Sequence, residues 1–565
     1  MPESTAQAQE LDGRTPHPPL NGADERLEAL TRARFEDVVR RHPAFATYLG
    51  YPGHDDELAD GSRDAILDGA AAAHRYVTEL EQIAEADLSP YYAVERDLAL
   101  YGARLELFDT EVHRVWERRV SATDEVGDSI FLLFARGSRP LAERLISIAA
   151  RLEAAPRHIE EQKSRLGARP PVRLWNEMEL ESVGSLPSLF DDVVAAGRAE
   201  FGEGSTEAAR LERGATATNA ALEHYGGWIR EQLGRADDDF ALGAEAYDDL
   251  IGLRAFDGLT SDEILEIGEQ QLAENRSARA AIAREIDPAA TEHQVVDRIK
   301  SDHPSDFAAA LDVYRAAMAE ARSFVRDNDI ATLPERDQLS VIETPEYLRN
   351  VMPFAAYFPA PKFDAGLDRR GIYVVTPSVD GDPRALREHN RASIYNTSIH
   401  EAYPGHHHQL GVAINHPSLV RAVVDAPEFV EGWAMYCEVM MREAGFDTAL
   451  EHRAMMHTDA IWRACRIILD VKVHRGLIDV ADATDWMVEQ TGFERPQALA
   501  EVQRYTYTPT YQLSYLLGRV LLLRLRDDER RRLGDRFSLG RFHDAMLAQG
   551  SVPISFQRRL LARAQ

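Results

Sequence analysis

The chain has 565 residues, 44% of them hydrophobic, and carries 94 acidic against 64 basic side chains, a formal net charge of −30. That is enough apolar material for a large core, and the charge argues against nucleic acid or an anionic membrane as a main partner. Two cysteines, Cys437 and Cys465, form no disulfide framework, and the polar opening MPESTAQAQELDGRTPHPPLNG lacks the apolar centre of a secretory signal, so a cytoplasmic protein with no membrane-spanning helix is expected.

Residues 1–24 read as a disordered tail. From there ERLEALTRARFEDVVRRHP spaces Leu27, Leu30, Phe35, Val38 and Val39 along one helical face, and His42-Pro43 stops it. His54, Asp55 and Asp56 in the loop that follows read as a Gly-flanked polar turn rather than a metal site. Helical segments are expected near 63–88, 91–117, 138–167, 176–200, 206–236, 259–285 and 304–328, with Thr260 and Glu263 as a capping pair. Between 338 and 377, LSVIETP and RRGIYVVTP are short β-branched runs bounded by Pro and Gly, which predicts two or three strands. The expected organisation is a helical part over 25–330 that forms a cleft wall and a metal-binding part over 331–565, in one continuous, mainly α fold.

The chemistry concentrates in His400-Glu401-Ala402-Tyr403-Pro404-Gly405-His406-His407-His408-Gln409, with Glu431 25 positions after His406. Two imidazoles and a carboxylate suit a catalytic zinc ion, one per chain, and a Glu directly after the first His is where zinc hydrolases of the HExxH kind keep their general base. The spacing departs from HExxH. On a regular helix the i+4 position is Pro404, which cannot ligate, and His406 at i+6 points about 120° away from His400. Pro404 loses a helical hydrogen bond and Gly405 frees the next step. A bulge there would return His406 to the place of an i+4 ligand. His406 or His407 as second ligand stays open at this level.

Pro427 suits the first turn of the helix that carries Glu431. Glu438, at i+7 from Glu431, faces the same way and either holds a ligand His or makes a surface ion pair. Asn396 lies one turn before His400. Arg466, Asp470 and His474 form a polar stripe on an apolar helix and need partners. One reading steers His474 by Asp470 toward a substrate; the other is an Arg466–Asp470 pair with a structural His. Thr508 and Pro509 can open a helix. Tyr507, Tyr511 and Tyr515 recur every fourth residue, and Arg519 could pair with a substrate carboxylate.

HEAYPGHHHQ followed by EGWAMYCE resembles the bacterial DUF885 family of metallohydrolase-like proteins, and more distantly the gluzincin zinc peptidases. The resemblance is strong over about 340–525. It implies a gluzincin-like helical fold with a deep cleft, His400, His406 and Glu431 as metal ligands, and Glu401 as base. It also implies an edge strand carrying Tyr373 that pairs with extended substrate, and a late-helix Tyr as oxyanion donor, Tyr515 first and Tyr511 second. His474 and Arg519 complete the expected substrate-binding set. The expected activity is zinc-dependent hydrolysis of peptide or amide bonds, on short peptides near their C-terminus. The competing expectations are a small-molecule amide substrate and a helical protein that binds metal without catalysis.

Overall fold

Helix boundaries in the computed structural model follow local capping chemistry. It describes residues 20–135, 139–335, 337–344, 355–363, 370–377 and 383–563. The first described helix, Gly22–Arg41, starts slightly before the expected onset because Asn21 accepts from the backbone N–H of Ala23 and Asp24, in a capping box with Asp24. The rest of the expected tail, residues 1–19, lies outside the described residues. Thr260 and Glu263 cap Ser261–Ile286 as expected. Thr291 and Gln294 do the same for Glu292–Ser301, a helix the hydrophobic pattern did not reveal.

The helices Arg63–Glu81, Pro90–Phe108, Leu141–Gln162, Thr206–Gln232 and Phe307–Asp327 match the expected segments. The stretch expected as one helix over 176–200 is two, Arg173–Ser185 and Pro187–Phe201, since Pro187 can neither donate to the preceding turn nor fit inside it. Ala122–Ala135 and Ala244–Arg254 are additional helices.

The β element is one sheet of three strands, β1 (Gln338–Glu343), β2 (Ala355–Phe358) and β3 (Arg370–Val375), in the order β1-β3-β2. β3 runs parallel to β1, with Val341 opposite Tyr373, and antiparallel to β2, with Tyr357 opposite Tyr373.

Packing is continuous across residue 330. Tyr247, Ile264 and Met318 share one core with Phe429, Trp433 and Leu516, and Leu27 and Leu98 share another with Val420 and Phe556. Cys437 and Cys465 are buried and unpaired. Among the described residues no helix is long and apolar enough to cross a membrane.

Candidate metal centre

Asn390 caps helix Arg391–Glu401 by accepting from Ser393 N–H at 2.9 Å. The helix places His400 and Glu401 in its last turn and ends there. The expected bulge is a full break: the Tyr403–Pro404 peptide is cis, and a second helix, His406–Ala413, begins immediately after Gly405. A Cβ on residue 405 would sit 1.8 Å from the His400 carbonyl oxygen, so only glycine allows this close return. Gly405 N–H donates to Ile399 O at 3.1 Å and His408 N–H to Ala402 O at 3.3 Å. Trp433, fully buried, donates from its indole nitrogen to Pro404 O at 2.8 Å and pins the break.

The break brings the two imidazoles together, with ring centroids 4.9 Å apart at 85°. Helix Pro427–Glu443 supplies Glu431, whose Oε2 lies 3.4 Å from His406 Nε2 and 3.8 Å from His400 Nε2. One ligand atom from each of the three lies within 4.8 Å of the others. An ion about 2.0–2.1 Å from tetrahedral donors separates them by about 3.4 Å; Glu431 Oε2 stands at 3.4 Å and 3.8 Å from the two imidazole nitrogens, near that spacing. Burial disfavours charge on both kinds of group. It is outweighed at Glu431, where the hydrogen bond and charge of His406, then His400 and Arg466, hold the carboxyl down at about 2. It is also outweighed at His400, which Glu438, Glu401 and Glu431 push up to about 9.

Glu431 can reach the histidines because its helix crosses helix Leu516–Leu533 at glycine on glycine. A Cβ on Gly432 would meet Gly518 backbone at 2.6 Å, and one on Gly518 would meet Glu428 O at 2.2 Å. Glu438, two turns after Glu431, accepts from His400 Nδ1 at 2.8 Å, which directs Nε2 at the cluster. Asn396 donates to Glu438 at 3.2 Å and to Asp459 at 3.0 Å, and accepts from Arg442 at 3.1 Å.

His407 is engaged elsewhere. Its Nε2 meets Asp337 Oδ1 at 2.9 Å and its Nδ1 the Tyr357 hydroxyl at 2.9 Å. That separates the two candidates for the second ligand in favour of His406. Asp337 also accepts from Tyr403 and, at 2.7 Å, from Arg322, so it ties the motif to the residues leading into β1. Asp337, Tyr357, Arg442 and Asp459 went unnoticed in the sequence. No local pattern marks them, since each acts across more than 40 positions of chain.

Glu401 is partly exposed and has no hydrogen-bond partner among the described residues. Tyr511 and Tyr515 face each other with hydroxyls 3.5 Å apart. Burial raises both phenols, and the Glu431 charge raises them further. The helix expected to open at Thr508-Pro509 starts only at Leu516. Before it, Thr510 takes a left-handed backbone (φ 67°), and Asp470 accepts its N–H at 3.0 Å.

Three expectations need correction. Tyr373 lies on β3, the central strand, with β1 and β2 on its two sides. No substrate backbone can add to that strand, and the Tyr373 ring is 2% exposed, packed 5.8 Å from Tyr314. His474 is fully buried and bonds from Nε2 to Tyr505 O at 2.8 Å, the structural role, and burial pushes it down to about 3. Arg466 pairs with Glu501 at 2.8 Å, not with Asp470. Asp470 instead accepts from Tyr247 at 2.6 Å, and burial pushes it up to about 7. Arg519 is buried, with its Nη2 on Gln271 Oε1 at 3.1 Å.

Fold and site together define a mainly α-helical protein with a small sheet and a His-His-Glu cluster at a broken helix. The chain belongs to the DUF885 family, described as bacterial protein of unknown function, whose pattern matches residues 43–561. Two solved structures share the fold. One is a putative lipoprotein of unknown function from Shewanella oneidensis, 23% identical with a TM-score of 0.77, over 95% of this chain and 99% of that one. The other is the putative lipoprotein from Colwellia psychrerythraea, 17% identical with a TM-score of 0.82, over 96% and 99%. No curated protein matches the sequence.

Proposed function

We propose that this protein is a zinc-dependent hydrolase of peptide or amide bonds, of gluzincin-like arrangement, acting on short peptides near their C-terminus. The observation that carries it is the convergence of His400 Nε2, His406 Nε2 and Glu431 Oε2, with Glu401, adjacent to His400 in the chain, left without a hydrogen-bond partner among the described residues. Bound zinc supplies Lewis acidity toward water and the scissile carbonyl. Glu401 takes a proton from the attacking water and delivers it to the leaving amine. Tyr515, backed by Tyr511, donates to the developing oxyanion. Glu438 fixes the tautomer and direction of His400. A structural zinc site would fill four positions with protein ligands; here three donors converge, and His407 is held by Asp337 and Tyr357. For location we propose the cytoplasm, on the two unpaired cysteines; recovery of the native protein in a membrane fraction overturns that.

The test is hydrolysis of a panel of dipeptides, tripeptides and N-acyl amino acids by the zinc-loaded protein and by Glu401→Gln at equal zinc content. The wild type is expected to cleave peptides. The variant should fall by about 10²–10⁴-fold, the range for a positioned general base. A Glu401→Gln protein with near wild-type rates would overturn the assignment of the base. Cleavage of N-acyl amino acids alone would move the substrate to small-molecule amides. Tight metal with no hydrolysis of any panel member would favour a non-catalytic role.

A further inference from the structure

Arg519 follows Tyr515 by one turn, and its backbone N–H donates to Tyr515 O at 3.1 Å. Its side chain runs toward helix Ser261–Ile286, is 5% exposed, and among the described residues has one hydrogen-bond partner, the neutral amide of Gln271. Among the described residues no carboxylate oxygen lies within 4.0 Å of its guanidinium. Other arginines as deeply buried meet a carboxylate or several oxygen acceptors, as Arg151 does with Ser129 O, Thr47 Oγ1 and His54 O. Arg421 has Glu95 at 2.7 Å, Arg466 has Glu501 at 2.8 Å, and Arg144 donates to the carbonyls of Leu133 and Arg139 at 2.9 Å.

Glu438 and Glu274, whose charges reach Arg519, are spent on other groups: Glu438 on His400 and Asn396, Glu274 on the amides of Gln270 and Gln271. The neighbouring His457 adds no negative charge. It bonds through Nδ1 to Asn275 at 2.8 Å, and burial, followed by the charges of Arg519, Arg453, Arg442 and Arg279, pushes it down to about 4. A guanidinium taken out of water without a counter-ion is costly, and a planar fork of donors is matched by a carboxylate.

We propose that Arg519, with Gln271 and His457, forms a binding site for a small carboxylate, the free carboxylate of the substrate, one helical turn from Tyr515. Assigning that carboxylate to the substrate rests on the hydrolase reading; carboxylate binding itself does not.

The experiment measures the thermal midpoint of the full-length protein, with and without saturating zinc, in sodium acetate, chloride or phosphate at equal ionic strength. Acetate is expected to raise the wild-type midpoint saturably. Arg519→Gln should lose that rise and, in acetate-free buffer, melt no lower than the wild type, since it removes an uncompensated buried charge. Arg519→Lys, which keeps the charge and loses the fork, should weaken acetate binding roughly tenfold. No saturable rise in the wild type would overturn the proposal. So would an equal rise in both variants, or chloride and phosphate matching acetate. A saturable acetate effect in a protein whose zinc-loaded form hydrolyses no panel member would leave the carboxylate site standing and sink the hydrolase reading instead.

Discussion

His400 and His406 stand six positions apart, a spacing that an unbroken helix would splay, and the structure converts it into a pair by ending one helix and starting another. Pro404 forces the end and Gly405 permits the return, because any larger residue would collide with the His400 carbonyl. Glu438 then determines which nitrogen of His400 faces the cluster. Replacing Glu438 by Ala should leave the chain folded and lower zinc affinity by about 10–100-fold, the usual effect of losing a ligand's supporting carboxylate, measured by competition with a chromogenic chelator. Unchanged affinity would show that Glu438 does not orient the ligand. At this scale the sequence was most informative where spacing alone decides geometry. His400, Glu401 and Glu431 come from the motif, and i+7 on one helix puts Glu438 on the face of Glu431, with a support for a ligand His and a surface ion pair as the two readings. The choice between His406 and His407 did not follow, since 100° per residue assumes a helix that the chain breaks. His474 misled for a related reason: i+4 spacing puts it on one face with Asp470 and says nothing about the Tyr505 carbonyl waiting opposite.

Among the elements, the crossing of Pro427–Glu443 with Leu516–Leu533 matters most, because it carries Glu431 on one helix and follows Tyr515 on the other. Two glycines face each other there, with no room for a methyl on either. Gly518→Ala should cost about 1–3 kcal/mol by overpacking and weaken zinc binding, as the helix bearing Glu431 is pushed back. Gly252→Ala, on helix Ala244–Arg254 with nothing within 4 Å of the added carbon, is the control. It should be neutral or stabilising by up to about 1 kcal/mol. Equal effects of the two in urea unfolding would contradict the packing account. Element existence was readable from periodicity and caps, as at Thr260. The rank of a strand within its sheet was not. RRGIYVVTP reads as a strand, yet only the long-range pairing with β1 and β2 makes it central and buries Tyr373. The helices Ala122–Ala135, Ala244–Arg254 and Glu292–Ser301 escaped because short segments give a weak 3.6-residue signal.

Across the whole molecule, core packing runs through both halves of the chain, so the helices near the His-His-Glu cluster and the first helices stabilise one another. That core holds imidazoles that stay neutral. His543 is fully buried between the Ile330 carbonyl at 2.7 Å and the Tyr436 hydroxyl at 2.8 Å, and burial pushes it down to about 4 from 6.5. Below pH 6.5 the unfolded chain takes up a proton there that the folded chain refuses, so its contribution to stability is lost progressively as pH falls from 6.5 to about 4. Buried carboxyls raised to about 7, such as Asp470 and Glu428, act in the opposite sense over the same range. Comparing the wild type with His543→Gln cancels them, as sites with independent effects add. The variant should be less stable at pH 7.5, and its deficit should shrink by about 2 kcal/mol at pH 5.0, from about 1.4 kcal/mol per unit below 6.5. A deficit that does not change with pH would show that His543 titrates normally.

The most direct measurement is the metal content of the purified full-length protein beside His406→Ala, by elemental mass spectrometry after zinc is supplied and excess removed. About one zinc per chain is expected in the wild type, and its loss in the variant. A wild-type protein that retains no transition metal would contradict it, and the His400–His406–Glu431 cluster would then be a buried ion-paired turn with no catalytic role.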